Sequence, residues 1–236
     1  MKPIKAIILC GGRGTRLKPF TYVLPKPLVP VGEKPILLIL IERLRQYGIT
    51  DLVFCTNYMA DLLASYFRDG SRFGVSISYS LEEIPLGTVA PIKRVADLPE
   101  NFLGMNGDLL TDLDFSKIWR QHLERHSLLT VGTYSRRVKI DFGVMDIADS
   151  HVTGFREKPE YGFDVSMGIY VFNRAVLAHV PDDRPFGFDN LVLTMLEKKE
   201  RIDVFPYSGY WLDIGRPDDF EKANEDIHKL EFCREQ

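Results

Sequence analysis

The 236-residue chain is poor in cysteine: Cys10, Cys55 and Cys233 stand far apart with no paired spacing. That excludes a disulfide framework and a zinc ribbon, and it fits a reducing compartment. Neither charge sign is in excess, since 30 Lys and Arg against 33 Asp and Glu leave a formal net charge of −3. No global basic field argues for nucleic acid or a membrane surface, so basic clusters must be read locally. No apolar run approaches the ~20 residues of a membrane span. The N-terminal apolar run is too short for a signal peptide, and a cytoplasmic protein is expected. Histidine is scarce, with five scattered copies and no Ser-His-Asp set. His122 and His126 have helical i, i+4 spacing, but no third ligand lies nearby, so surface or helix-end roles are expected for them. No internal repeat, low-complexity tract or linker is present, and one domain over residues 1–236 is expected, with halves meeting near 110. The two common nucleotide motifs are also missing. Nothing supplies the Gly-Lys-Ser/Thr of a P-loop. Gly12-Arg13-Gly14 opens a dinucleotide fingerprint, but Leu17 stands where its third glycine belongs.

What is present at the N-terminus is an apolar run, Ala6–Cys10, ending in Gly11, Gly12 and Gly14. Arg13, Arg16 and Lys18 follow, and Lys26 sits between prolines. Glycines let backbone N–H groups approach a ligand, and arginine grips phosphate with a forked pair of donors. The combination points to a polyphosphate over this segment. The bland reading of the glycines alone is a tightly packed strand-to-helix turn.

Hydrophobic patterning alternates strand and helix through the first half. Strands are expected at Ile4–Cys10, Leu52–Thr56, Val75–Ser80 and Phe102–Asn106, and helices at Pro35–Tyr47, Ala60–Arg68, Thr88–Ala96 and Phe115–His126. The proline-rich stretch 11–34 reads as a long ordered loop. The second half gives closely spaced strands at Leu128–Tyr134, Phe142–Ile147, His151–Arg156 and Val165–Phe172, with a hairpin at Asp149-Ser150. Helices Asn190–Lys199 and Pro217–Leu230 follow, with strands Ile202–Pro206 and Tyr210–Leu212 around them. The expected fold is α/β: a Rossmann-like, mostly parallel mixed sheet flanked by helices, with antiparallel strands added in the second half. The apolar 36–41 face suits a core or a homo-oligomer contact, and the pattern does not choose between them.

Two aspartates end short apolar strands. Asp108 follows Asn106-Gly107, and Asp213 follows Trp211-Leu212. Ligands gather beyond the carboxyl ends of parallel strands, and Mg²⁺ takes one or two carboxylates plus phosphate oxygens. A helix N-cap or turn aspartate explains Asp108 equally well. Asp218 and Asp219 fit first-turn positions on a helix. Glu157-Lys158-Pro159 sets an acid and a base side by side, suited to a sugar phosphate or to a solvated turn. Glu83 to Thr88 is a loop in which Gly87 allows close backbone approach.

These segments, in this order, resemble the sugar-1-phosphate nucleotidylyltransferases, and the likeness runs from Ile4 to about Asp226. The resemblance implies a Rossmann-like core with a sugar-binding half, and substrates that are a nucleoside triphosphate and a sugar 1-phosphate. It implies nucleotide contacts from Leu9, Gly11, Gly12, Gly14, Thr15, Arg16, Lys26, Glu83, Pro85, Gly87 and Thr88. Arg16 would clamp the triphosphate and Lys26 the α-phosphate. Gly107, Gly143, Glu157, Lys158 and Asn173 would form the sugar-phosphate side, and Asp108 and Asp213 would hold Mg²⁺. The segments 26–32 and 82–88 look most like guanylyltransferases for mannose- or heptose-type phosphates. A uridylyl-, thymidylyl- or cytidylyltransferase and a non-catalytic sensor are the alternatives. Two departures stand out: Val89-Ala90-Pro91 replaces a common Ala-Gly pair, and Arg156 stands where a small or apolar residue is usual. No C-terminal β-helix is expected within these residues.

Overall fold

The computed structural model describes residues 4–182 and 184–230, so Cys233 lies outside the described residues. The first apolar run forms β1 (Lys5–Leu9), with Ala6, Ile7 and Ile8 wholly buried, as a strand covered on both faces requires. The stretch 11–34 is ordered. It holds three short 3-10 turns and a small ribbon of β2 (Pro30–Val31) and β3 (Lys34–Pro35). Next come α1 (Ile36–Gln46), β4 (Asp51–Thr56), α2 (Ala60–Phe67), β5 (Ser76–Leu81), α3 (Ala90–Lys93) and β6 (Asn101–Asn106). A short strand β7 (Leu109–Thr111) precedes α4 (Phe115–Glu124). Strands β8 (Leu129–Lys139), β9 (Val144–Ala148), β10 (His151–Arg156) and β11 (Glu160–Asn173) follow in succession. The described chain closes with α5 (Phe188–Glu197), β12 (Asp203–Tyr207), β13 (Trp211–Asp213) and α6 (Pro217–Asp226).

Seven strands form the main sheet in the order β12-β8-β11-β6-β1-β4-β5. The quartet β6-β1-β4-β5 is parallel, β11 runs antiparallel to both β6 and β8, and β12 is parallel to β8. The expected mostly parallel sheet with antiparallel additions is therefore present. One face is covered by α1, α2 and α4 through residues such as Leu40, Leu63, Phe67 and Phe115. The other is covered by α3, α5 and the 82–89 loop through Ile92, Leu191, Met195, Leu86 and Val89. All six residues Ile36 to Ile41 are buried within the chain's own cores, which settles that face as core. A third, smaller core of Leu17, Val29, Val31, Ile36, Ile214 and Ile227 packs α6 against the proline-rich loop.

Two strands exceed their apolar pattern. β8 runs to Lys139 and β11 begins at Glu160, and the two pair along an outer half whose residues are largely exposed. Backbone pairing without a core extends them, so hydrophobic alternation could not announce their ends. The two-stranded β9–β10 sheet sits with this arm. β7 was also unannounced: three residues pair with β13 to form a separate two-stranded sheet.

Of the two expected roles His122 takes the helix-end one, in the last turn of α4, but it is not at the surface. It is 1% exposed, with Nδ1 2.9 Å from Thr130 Oγ1 and Nε2 3.1 Å from Asn101 Oδ1. Because the Asn101 oxygen can only accept, Nε2 carries the proton and Nδ1 accepts from the threonine hydroxyl. Burial pushes the His122 pKa down to about 4. Below the unfolded value near 6.5 the unfolded chain takes a proton that the folded chain refuses, so this contribution is full above that pH and is lost as pH falls towards 4. Urea unfolding from pH 7 to 4 is expected to show a loss of up to about 3 kcal/mol from this residue. His122→Gln should flatten that slope; an unchanged slope would remove His122 as its source.

Candidate active site

A cleft of about 390 Å³ opens at the carboxyl ends of β1, β4 and β6. Parallel strands bring Leu9, Cys55 and Asn106 into one register there. The glycine turn forms one wall. Gly12 has open space where a side chain would stand, so its backbone faces the cleft unobstructed. Gly14 is different: its φ is +59°, and a Cβ would come within 2.9 Å of the Thr21 side chain and 3.0 Å of Lys26 Cβ. Thr21 Oγ1 donates to Gly14 O at 2.8 Å, closing the turn on itself. This brings Thr15, Arg16 and Lys26 to the cleft together.

Lys26 Nζ donates to Asp108 Oδ2 across the cleft. The other oxygen, Asp108 Oδ1, is buried and accepts no hydrogen bond among the described residues. Asp213 is held beside it because β13 pairs with β7 and Ile214 N donates to Asp108 O at 3.1 Å. Burial, then the Asp108 charge, raises the Asp213 pKa, while Lys26 and Arg16 oppose that rise. Arg16 lies close by, with Nη2 3.3 Å from where a Gly215 Cβ would be. A buried acceptor without a donor beside a second, partly buried carboxylate fits a divalent cation. Among the described residues no cluster of three or more ligating side chains exists, so phosphate oxygens and water would complete the shell.

The opposite wall is the loop after β5. Gly87 has φ +89°, and a Cβ there would meet Phe186 O at 2.9 Å. Glu82, 6% exposed, lies behind this loop and lines the cleft. Its Oε2 accepts from Leu86 N at 3.0 Å, and its backbone is fixed by Thr56 O and by Asn57 Nδ2. Burial raises the Glu82 pKa, and the Leu86 amide and the Arg94 charge act against this.

A family model described as nucleotidyl transferase matches residues 5–230. The chain belongs to the nucleotidyl transferase family. It is 33% identical over 226 residues to a mannose-1-phosphate guanyltransferase of Yarrowia lipolytica, covering 92% of this chain and 62% of that relative. A UTP–glucose-1-phosphate uridylyltransferase of Synechocystis is 30% identical over 241 residues, covering 93% of this chain and 62% of that protein. The chain thus spans under two thirds of those relatives. It spans 98% of a D-glycero-alpha-D-manno-heptose 1-phosphate guanylyltransferase of Aneurinibacillus thermoaerophilus, which is 32% identical over 228 residues and covers 95% of this chain. The crystal structure of HddC from Yersinia pseudotuberculosis complexed with GMP-PN matches with a TM-score of 0.73 and 28% identity, covering 95% of this chain and 99% of that one.

In this nucleotidyl transferase the cleft gathers Leu9, Gly11, Gly12, Gly14, Thr15, Arg16, Lys26, Pro85, Gly87, Thr88, Gly107 and Asp108. Glu83 is exposed and does not line it; its neighbour Glu82 does, because alternation along the end of β5 turns Glu82 inward. Glu157, Lys158 and Gly143 lie together on the exposed arm: a Gly143 Cβ would stand 3.5 Å from Glu157 Oε2. None of the three lines the cleft. Asn173 is placed elsewhere altogether. It pairs with Asn101 at the opposite end of β6, about 17 Å from Asn106 by strand rise. There its Oδ1 accepts from Ala175 N at 2.9 Å and its Nδ2 donates to Asn101 Oδ1 at 3.1 Å, a capping role away from the cleft. Cys10, Cys55, Asn106 and Gly215 also line the cleft and carried no chemical signal in sequence.

Gly14→Val is expected to cost about 1–3 kcal/mol in stability through left-handed backbone strain. It should also weaken triphosphate binding, since Lys26 must shift. Chemical unfolding with parallel nucleotide titration checks both; wild-type stability in the variant would overturn the turn geometry.

Proposed function

We propose that this chain transfers a nucleoside monophosphate from a nucleoside triphosphate to a sugar 1-phosphate and releases pyrophosphate. The observation that carries this reading is the cleft itself: Arg16, Lys26 and Asp108 line it at one end of a parallel sheet, Asp213 stands beside Asp108 without lining it, and Asp108 keeps one buried oxygen unpaired among the described residues. The names of the relatives favour GTP with a mannose- or heptose-type 1-phosphate.

The attacking group would be a phosphate oxygen of the sugar 1-phosphate. Its second pKa is about 6, so it is mostly dianionic at neutral pH and needs no side-chain base. The obstacle is an anion approaching an anion. Arg16 and Lys26 place positive charge where the triphosphate would lie, and the backbone of Gly11, Gly12 and Gly14 lines the same wall. Lys26 is held in place by Asp108, so a phosphate oxygen can replace a carboxylate contact with little reorganisation of the lysine. A divalent cation on Asp108 and Asp213 would neutralise further phosphoryl charge. Glu157 and Lys158, on the arm, are proposed to take the sugar hydroxyls and sugar phosphate.

A grid of GTP, UTP, dTTP, CTP and ATP against mannose, heptose and glucose 1-phosphates, read by pyrophosphate release, tests the reaction. Release dependent on both substrates is expected, greatest with GTP. No release from any pair would overturn the reading. Asp108→Ala should lower turnover by at least about a hundredfold while circular dichroism stays native. Near-wild-type turnover in a folded Asp108→Ala protein would take this carboxylate out of the mechanism.

A further inference from the structure

We propose that Asp112 is a positioning residue: it locks the register of β13 on β7 and so sets Asp213 beside Asp108. This deepens the reading above, since those two carboxylates are its proposed cation site, while Asp112 itself does not line the cleft. β7 and β13 form a two-stranded sheet of only three paired positions, Thr111 with Trp211, Leu110 with Leu212 and Leu109 with Asp213. A ribbon this short does not hold itself together in water. Its register matters, because a slip of one residue turns every side chain of the moving strand to the other face. Asp213 would then point away from Asp108. At the Asp213 end the ribbon is closed by one backbone bond, from Ile214 N to Asp108 O at 3.1 Å. The opposite end carries more ties, and Asp112 is at their centre.

Asp112 Oδ1 accepts from Tyr210 N at 2.8 Å and from the Tyr207 hydroxyl. Asp112 N donates to Tyr210 O at 3.1 Å, and Thr111 Oγ1 donates to the same oxygen at 2.9 Å. Tyr210 is thus gripped at its N–H and its C=O, one residue before the ribbon pairs. Tyr207 ends β12, so the same carboxylate joins an edge strand of the main sheet to the ribbon. From the other side Arg43 Nη2, on α1, donates to Asp112 O at 2.7 Å. Gly209 leaves the space in which these groups meet: a Cβ there would fall on the Tyr207 hydroxyl and stand 2.7 Å from Asp112 Oδ1. One residue therefore ties α1, β7, β12 and β13 together, and hydrogen bonds to an ionised acceptor are the stronger kind. The clamp needs an acceptor at this point rather than a charge. An asparagine oxygen can take both donors, whereas alanine removes the acceptor altogether.

Two measurements on the full chain test this without turnover. The first is amide hydrogen exchange with no metal present, which reads the register. Ile214 N–H should exchange at least about tenfold faster in Asp112→Ala, with the amides of β1 and β6 unchanged. Wild-type exchange at Ile214 in a folded Asp112→Ala protein would overturn the proposal. Should that variant not fold, Tyr207→Phe removes one donor and keeps the Tyr210 contact. It should speed Ile214 exchange by about threefold, and no change there would equally overturn the proposal. The second measurement is titration with Mn²⁺ alone, followed by electron paramagnetic resonance. Asp112→Ala should bind the ion at least about tenfold more weakly than wild type. Asp112→Asn should stay within about threefold of wild type, because its oxygen restores the acceptor. An Asn variant as weak as the Ala variant would overturn the proposal, since charge and not the clamp would then be at work. If the wild type binds no Mn²⁺ that Asp108→Ala abolishes, the cation reading falls, and Ile214 exchange decides the register lock on its own.

Discussion

The ion pair between Lys26 and Asp108 joins the two parts of the chain on which the cleft depends. Lys26 comes from the proline-rich loop after β1, and Asp108 follows β6, its neighbour in the sheet. Both side chains are mostly buried, and a buried pair of this kind is held together by the cost of leaving either partner alone. The pairing is incomplete by design of the surroundings: Asp108 keeps a second, unpaired buried oxygen, and Asp213 adds a further carboxylate beside it. Two carboxylates in one partly buried neighbourhood favour a cation beside them, and Arg16 and Lys26 favour an anion. The site is therefore poised for ligands that carry both.

Holding a twenty-residue irregular loop still requires more than one ion pair. The third core does this. Leu17, Val29 and Val31 from the loop pack with Ile36 of α1, with Ile214 next to Asp213, and with Ile227 after α6. Burial of side chains this size contributes on the order of 1.5–3 kcal/mol each relative to exposure. The same apolar contacts that order the proline-rich loop thus also fix the strand bearing Asp213. Gly32 N donating to Asn224 Oδ1 at 2.9 Å adds a polar tie between the same two segments. Residues nearly two hundred positions apart are set by one cluster, which explains why the last helix bears on a site built mainly from the first half of the chain.

Much of this was legible in the sequence, for identifiable reasons. Buried parallel strands such as Lys5–Leu9 and Asn101–Asn106 are short apolar runs, and residues just beyond their carboxyl ends fall in the cleft whatever the loops do. That rule brought Gly11, Gly12 and Asp108 to the cleft directly. It could not separate Glu82 from Glu83, because adjacent carboxylates at a strand end differ only in which way the pleat turns them. It misplaced Asn173, since β11 is antiparallel to β6 and its carboxyl end lies at the wrong side of the sheet. Strand direction is a tertiary fact with no local signature. His122 was misread for a related reason: its two hydrogen-bond partners, Thr130 and Asn101, lie on different strands.

The exposed arm poses a different physical problem. Along β8 and β11 the outer residues pair backbone to backbone while their side chains, among them Val138 and Phe163, stay 45% and 54% exposed. A two-stranded extension with little core opens more readily than a packed sheet. Glu157 and Lys158 sit on this arm, outside the cleft, whereas Arg16, Lys26 and Asp108 are anchored by buried contacts. The division makes sense for two substrates. In the proposed reaction a triphosphate would need charges fixed in advance, because reorganising them during transfer would raise the barrier. In the same proposal, groups on a less constrained element could approach a second substrate without disturbing the packed half. The packed and the exposed parts are thus two halves of the same strands, and the boundary falls at Ser166–Tyr170, where the β8–β11 register shifts.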